Sequence, residues 1–340
     1  LDLAPEIEKE GLSTTAEVIL GLPGETYESH IKTLKDLVRA DINYVRAYTL
    51  MLIDGSEMNT PEQRKKWGFK TKFRILPKDF VRLKNNKTVI ETEEVVIATN
   101  TLSFDEYVEL RLLAFIMFVT NIGLVYDPIS NFLKEKNIDV FDLFYECLKQ
   151  KDSAPSEIIE IFNKFKESTT NELWDSPEDI QNYFQNHENY QKLLGGEEGI
   201  NVLQHYQAMV IFNNMEKWTE FTLKIAESLL IKNNKFSKDV QNQFIDVANY
   251  CRGLSFEPLT KNRKNKNPEF SFNYNITEWL KSKENLEKFK DSPQKVKFSF
   301  SEKQFKLVDD ALNLCGDTMV GKSRIFRWIQ PDNIWRIPMF

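Results

Sequence analysis

Short apolar runs and turn residues alternate over the first sixty positions. Glu17-Val18-Ile19-Leu20 is followed at once by Gly21-Leu22-Pro23-Gly24. That pattern predicts a short strand, buried on both faces, ending in a tight turn. The period then changes. Ile31, Leu34, Leu37 and Val38 recur at helical spacing, predicting a helix over 27–40, with Thr26 as its N-cap and Glu28 well placed in its first turn. Residues 41–43 read as a turn and 44–53 as a second β-rich run. Strand, helix and strand with short links make a βαβ unit, so the strands should be parallel and the crossover right-handed. Parallel strands occur almost only in sheets covered on both faces. Two strands cannot make such a sheet, and nothing downstream repeats the alternation. The expectation is therefore that further strands precede Leu1 and that the chain is the tail of a larger α/β domain.

Residues 61–102 read as a connector with β character. Residues 72–76 partly alternate, Asn85-Asn86 between Val81–Leu83 and Val89–Ile90 hints at a hairpin, and Val95–Ala98 reads as a further apolar run. Ser103-Phe104-Asp105-Glu106 is a capping box, so a helix should start there. Residues 103–254 read as a helical domain, broken at Pro155, Pro177 and Gly195-Gly196. Residues 255–275, rich in Pro, Lys, Arg and Asn, read as a linker or long loop, and 276–340 as a helical, aromatic tail.

Composition narrows the function classes. Hydrophobic residues make up 41% of the 340, enough for a core and too many for wholesale disorder. Lys and Arg number 45 against 51 Asp and Glu, a formal charge of −6, which argues against a general nucleic-acid partner. The longest apolar run, Leu112–Val119, falls well short of the roughly 18 residues that a membrane span needs. No signal peptide is visible, so the expected compartment is the cytoplasm. Cys147, Cys251 and Cys315 are far apart, as are His30, His187 and His205, and no local metal motif joins them. Residues 316–323 fit the P-loop pattern, but the residues before them have helical spacing, so a helix C-cap loop is the favoured reading. The basic run 261–266 reads as a solvated loop.

One stretch says more. Glu17 to Thr26, containing Gly-Leu-Pro-Gly-Glu-Thr, resembles the fifth-strand region of radical S-adenosylmethionine (SAM) enzymes. Tyr44–Leu50 followed by Asp54-Gly55-Ser56-Glu57-Met58 is similar to their sixth strand and its Gly-(Thr/Ser)-Glu loop. Residues 71–77 and 91–99 look like the segments after the barrel in cobalamin-binding members. The resemblance covers about residues 10–110. It implies a fold that runs from α/β to mainly α. Residues 1–60 would be the last strands of a partial (β/α) barrel, 61–102 a connector, and the helical C-terminal region a cover over the substrate end. It also implies SAM, a 4Fe–4S cluster and, in this branch, cobalamin as cofactors of the intact protein. Carried over residue by residue, Ile19, Gly21 and Leu22 would line the adenine. Glu17 would reach the ribose or the substrate, and Tyr48 and Thr49 would offer backbone contacts. Pro23, Gly24 and Glu25 would shape the turn.

The departure from the family is equally plain. The cluster needs three thiolates, usually in CxxxCxxC after the first strand, and this chain has no such triplet. Its cysteines read as buried apolar residues. The chain thus reads as the C-terminal part of a radical SAM enzyme. It would need the missing N-terminal half of the barrel as partner and a small molecule or biosynthetic intermediate as substrate. The alternative is a non-catalytic helical interaction module with a vestigial α/β end.

Overall fold

The computed structural model describes residues 12–256, 258–260 and 267–339. The first elements are β1 (Thr15–Leu20), α1 (Tyr27–Arg39), β2 (Tyr44–Thr49) and a short α2 (Pro61–Trp67). A long hairpin follows, β3 (Lys70–Arg82) and β4 (Thr88–Ala98). The chain is then helical through residue 255. In order these helices are α3 (Phe104–Thr120), α4 (Asp127–Glu135), α5 (Val140–Lys149), α6 (Ser156–Asn171), α7 (Pro177–Gln185), α8 (His187–Gly195), α9 (Val202–Met209), α10 (Met215–Lys232) and α11 (Lys238–Ser255). A π-helical turn, Val210–Asn214, joins α9 to α10. Last come β5 (Glu269–Tyr274), α12 (Ile276–Leu280), β6 (Lys290–Ser299), α13 (Glu302–Cys315), α14 (Met319–Lys322) and β7 (Ile337–Met339). No helix among the described residues is long and apolar enough to cross a membrane.

The chain forms two compact units, one of Leu1–Phe115 with Phe162–His205 and one of Ile116–Ile161 with Tyr206–Phe340. In the first, β1 and β2 pair in parallel, from Thr15 opposite Tyr44 to Leu20 opposite Thr49. Thr26 caps α1 by accepting from the Ser29 amide, and α1 buries Leu34 and His30. The second β run ends at Thr49 and not at Ile53. Leu50 still donates to the Leu20 carbonyl at 2.9 Å, but its own carbonyl accepts from Val96 at 2.9 Å, and Met51 pairs with Val95. The apolar run continues while its hydrogen bonds pass from β1 to β4. Val95–Ala98 is accordingly the end of β4, buried on both faces, rather than a separate element. The hairpin turns at Asn85-Asn86, where Asn86 takes φ +61°. Near Pro77 the pairing slips, since proline has no amide to donate.

Apolar clusters hold this unit together, a small one of Leu50, Leu52 and Val96 among them. Leu20, Val95, Ile97, Leu102, Tyr107 and Leu110 pack between the strands and the start of α3. Ile75, Ile90, Ile180, Phe184, Tyr190 and Leu193 pack α7 and α8 on the hairpin. Ser103 and Glu106 make the expected capping box of α3, each bonding the other's backbone amide.

The second unit departs from expectation at its C-terminal end. The last residues of the stretch read as a linker, 269–274, are a strand, and 276–340 is not only helical. β5, β6 and β7 form an antiparallel sheet in that order. Phe270, Phe272 and Tyr274 alternate with polar residues, and Val296 and Phe298 alternate likewise in β6, so a period-2 pattern was present among the lysines and asparagines. Phe272, Tyr274, Val296 and Phe298 are all buried. Residues 316–323 are not only a cap loop: 316–318 link α13 to the short helix α14, which Thr318 caps. Gly316 ends that helix, and Lys322 pairs with Asp317 at 3.1 Å and lies over the Phe212 ring. The basic run 261–266 lies outside the described residues.

The sheet meets α11 at Gly253, where a Cβ would fall 2.5 Å from the buried Phe298 ring. We expect Gly253→Ala to lower stability by about 1–2 kcal/mol, because overpacking outweighs the gain in helix propensity. The midpoint of urea unfolding measures it.

Candidate functional site

The turn after β1 is set by a few local constraints. Gly21 takes φ +94°. The Glu25 amide donates to the Leu22 carbonyl at 3.1 Å, closing a turn with Pro23 and Gly24 at its corner. Gly24 takes φ +76°, so proline second and glycine third match a type II turn. The Glu25 carboxylate then folds back. Its Oε2 accepts the Gly21 amide at 2.7 Å, and its Oε1 lies 2.9 Å from His30 Nδ1. His30 is fully buried on α1, and its Nε2 has no hydrogen-bond partner among the described residues. One carboxylate therefore ties the turn to the helix. The Thr101 hydroxyl adds a bond to the Glu25 carbonyl at 2.6 Å. The sequence reading assigned Glu25 to the turn, but its bond to a histidine five residues on had no signal in the pattern.

The expectation that the first strand is buried on both faces does not hold: the parallel pair has one covered face and one open face. Val18, Leu20 and Thr49 turn into the core, where the Thr49 hydroxyl meets the Tyr107 hydroxyl at 3.3 Å. Glu17, Ile19, Arg46 and Tyr48 are exposed, with Glu17 opposite Arg46 and Ile19 opposite Tyr48 in the register. Ile19 is 41% exposed and Tyr48 46%. The Tyr48 hydroxyl donates to Glu17 Oε1 at 3.3 Å. Leu22, Met51 and Ile53 extend the exposed apolar surface along the strand ends. Of the sequence-derived residues, Glu17, Ile19 and Tyr48 thus share one face, and Gly21 and Leu22 follow at its end. Thr49 points its side chain away and leaves only its backbone.

A partly buried ion pair braces the strand beyond. The Arg64 fork grips Glu94 at 2.8 and 2.5 Å, and the Thr71 hydroxyl donates to the same carboxylate at 2.5 Å. Burial alone would push Glu94 up, but the hydrogen bonds from Arg64 and Thr71 outweigh it and hold the carboxyl below its ordinary range.

No protein-family profile matches the chain. Among curated proteins, the chain is 31% identical over 144 residues to the cobalamin-dependent radical SAM methyltransferase TokK of Streptomyces tokunonensis. That stretch is 41% of this chain and 20% of the relative. The chain is similar to cobalamin-dependent radical SAM methyltransferases. It is also 28% identical over 152 residues to the 2-(S-pantetheinyl)-carbapenam-3-carboxylate methyltransferase of Streptantibioticus cattleyicolor, covering 44% of this chain and 22% of that protein. The matched stretch spans about a fifth of the length of these curated relatives.

The cysteines do not fit an iron–sulfur cluster. Cys147 and Cys251 are fully buried, and burial pushes both thiols up, Cys251 to about 12, whereas a cluster takes thiolates. Among the described residues, no three His, Cys, Asp or Glu side chains come together as a metal site.

We expect Glu25→Ala to cost about 2 kcal/mol by leaving the Gly21 amide unpaired, with Glu25→Gln recovering part of the loss, as read from urea midpoints. The Glu94 carboxyl titrates lower folded than unfolded. The stability it contributes is complete above its unfolded value near 4.5 and drains as pH falls through the lower folded value. Glu94→Gln should therefore flatten the acid limb of a stability–pH curve.

Proposed function

We propose that this chain is the C-terminal portion of a cobalamin-dependent radical SAM methyltransferase. In this reading β1 and β2 are the last strands of a partial (β/α) barrel, and their open face borders bound SAM. The observation that carries it is the parallel pair itself, with α1 on one face, Ile19 and Tyr48 uncovered on the other, and a Gly-Leu-Pro-Gly turn at the strand end. Parallel strands normally have both faces covered, and ligands of α/β folds bind at the carboxyl ends of such strands. The similarity to methyltransferases of that kind supports the same reading.

Each residue then has a physical task. Ile19 and Leu22 offer apolar surface to a planar adenine. Gly21 carries no side chain, so the ring can approach the backbone closely. Tyr48 and Thr49 present backbone groups, and Glu17, oriented by the Tyr48 hydroxyl, reaches the ribose or the substrate. Glu25 and His30 hold the turn in place. SAM, when bound in the intact enzyme, supplies a 5′-deoxyadenosyl radical and, with cobalamin, a methyl group. This chain's residues bind and orient it. The cluster thiolates would come from the N-terminal half of the barrel. The substrate would be a small biosynthetic intermediate.

Two experiments test the reading. The reading frame upstream of Leu1 should encode further βα units with CxxxCxxC. A frame without them would favour the non-catalytic interaction module. In the intact protein, reconstituted anaerobically with iron, sulfide and cobalamin, Ile19→Asp should weaken SAM binding at least about tenfold, about 1.4 kcal/mol. Cluster absorbance should not change. Undiminished SAM affinity in equilibrium dialysis would contradict the assignment.

A further inference from the structure

The first unit holds a second concave feature, away from the turn after β1. A cleft of about 460 Å³ opens between β3, the end of α6, α7 and the loop after α8. That volume lies in the range of sites for small organic ligands, about 300–1,000 Å³. Its aromatic wall is Trp174 and Tyr183, with ring centroids 5.2 Å apart and planes tilted by 54°. Ile75 lines it from β3, and Glu172, Glu197 and Glu198 supply its carboxylates. None of the described residues lining it is Lys, Arg or His.

The walls are fixed before any ligand arrives. Trp174 is pinned to β3 by a reciprocal backbone pair with Phe73, at 2.7 and 2.9 Å. The Tyr183 hydroxyl donates to Glu198 at 3.2 Å and accepts from Lys192 at 3.3 Å. Gly199, at φ +62°, lets its loop press on Leu193, which a Cβ would strike at 2.7 Å.

Charge accounting singles out one group. Glu172 and Glu93 face Arg74, and Arg111 also approaches Glu172, so two carboxylates meet two guanidinium groups. Lys192 matches Glu198 at 3.3 Å. Glu197 is exposed and has no ion-pair partner among the described residues. The Tyr183 ring already has the Lys192 ammonium over it, 5.8 Å from its centroid, and that lysine is matched by Glu198. The cleft therefore combines one uncompensated carboxylate with the ring of Trp174, and no cation is among its described lining residues.

We propose that this cleft binds an organic amine, its ammonium group placed between Glu197 and the ring of Trp174 and its apolar body against Ile75. Carboxylate and ring face attract the same charge, and the apolar wall rewards burial of the carbon skeleton. This inference does not depend on the SAM reading.

The test uses the 340-residue chain and three probes of one shape: phenethylamine, 2-phenylethanol and 3-phenylpropanoate. Calorimetric titration should show phenethylamine binding, with the alcohol at least about fivefold weaker and the anion weaker still, the first figure matching one partly exposed charge pair. Glu197→Gln, a surface change whose fold circular dichroism can verify, should weaken phenethylamine about fivefold and leave the alcohol unchanged. Equal binding of amine and alcohol, absence of amine binding, or an unaffected Glu197→Gln variant would each overturn the proposal.

Discussion

One helix covers one face of a sheet, and the first sixty residues supply only one helix for two parallel strands. Most of what distinguishes this chain follows from that shortage. α1 packs Leu34 and His30 beneath β1 and β2, and the opposite face keeps Ile19 and Tyr48 at the surface. Apolar burial is worth roughly 25 cal/mol per Å². A sheet that leaves such side chains in water forgoes a gain that parallel strands elsewhere collect from both sides. The Glu25 carboxylate keeps the open face well defined at its end, since it joins the Gly21 amide to buried His30 and so fixes where the backbone turns.

The rest of the first unit secures this edge. β4 takes over the hydrogen bonds that β2 releases after Thr49, so the pair continues into a hairpin and is not a frayed ribbon. Arg64 and Thr71 hold Glu94 on the same strand. The same strand carries Val96 against Gly21, 3.7 Å from where a Cβ would lie, so the bracing extends to the turn.

The sequence announced the βα turn plainly because its period changes from strand to helix at Gly21–Gly24, each with its own turn chemistry. The hairpin was legible from Asn85-Asn86, where asparagine tolerates a positive φ. β5 was not read, because Pro258, Pro268 and the lysines and asparagines between them masked the alternation of Phe270, Phe272 and Tyr274. The end of β2 was misplaced because the apolar run to Ile53 carries no mark of the change in partner. Of the candidate site, the residues on the open face followed from the resemblance alone, since the apolar run 17–20 predicts burial on both faces and Ile19 is 41% exposed. The bond from Glu25 to His30 and the amine cleft did not. The cleft joins Ile75 to residues 168–202, and contacts between distant segments leave no periodic trace.

The central claim is that the open face of β1 and β2 borders SAM in a larger barrel. Hydrogen–deuterium exchange on the intact protein, with and without SAM, tests it most directly. The account predicts that SAM slows exchange in peptides covering residues 15–25 and 44–50. Protection elsewhere in the protein, with these two segments unchanged, would contradict it.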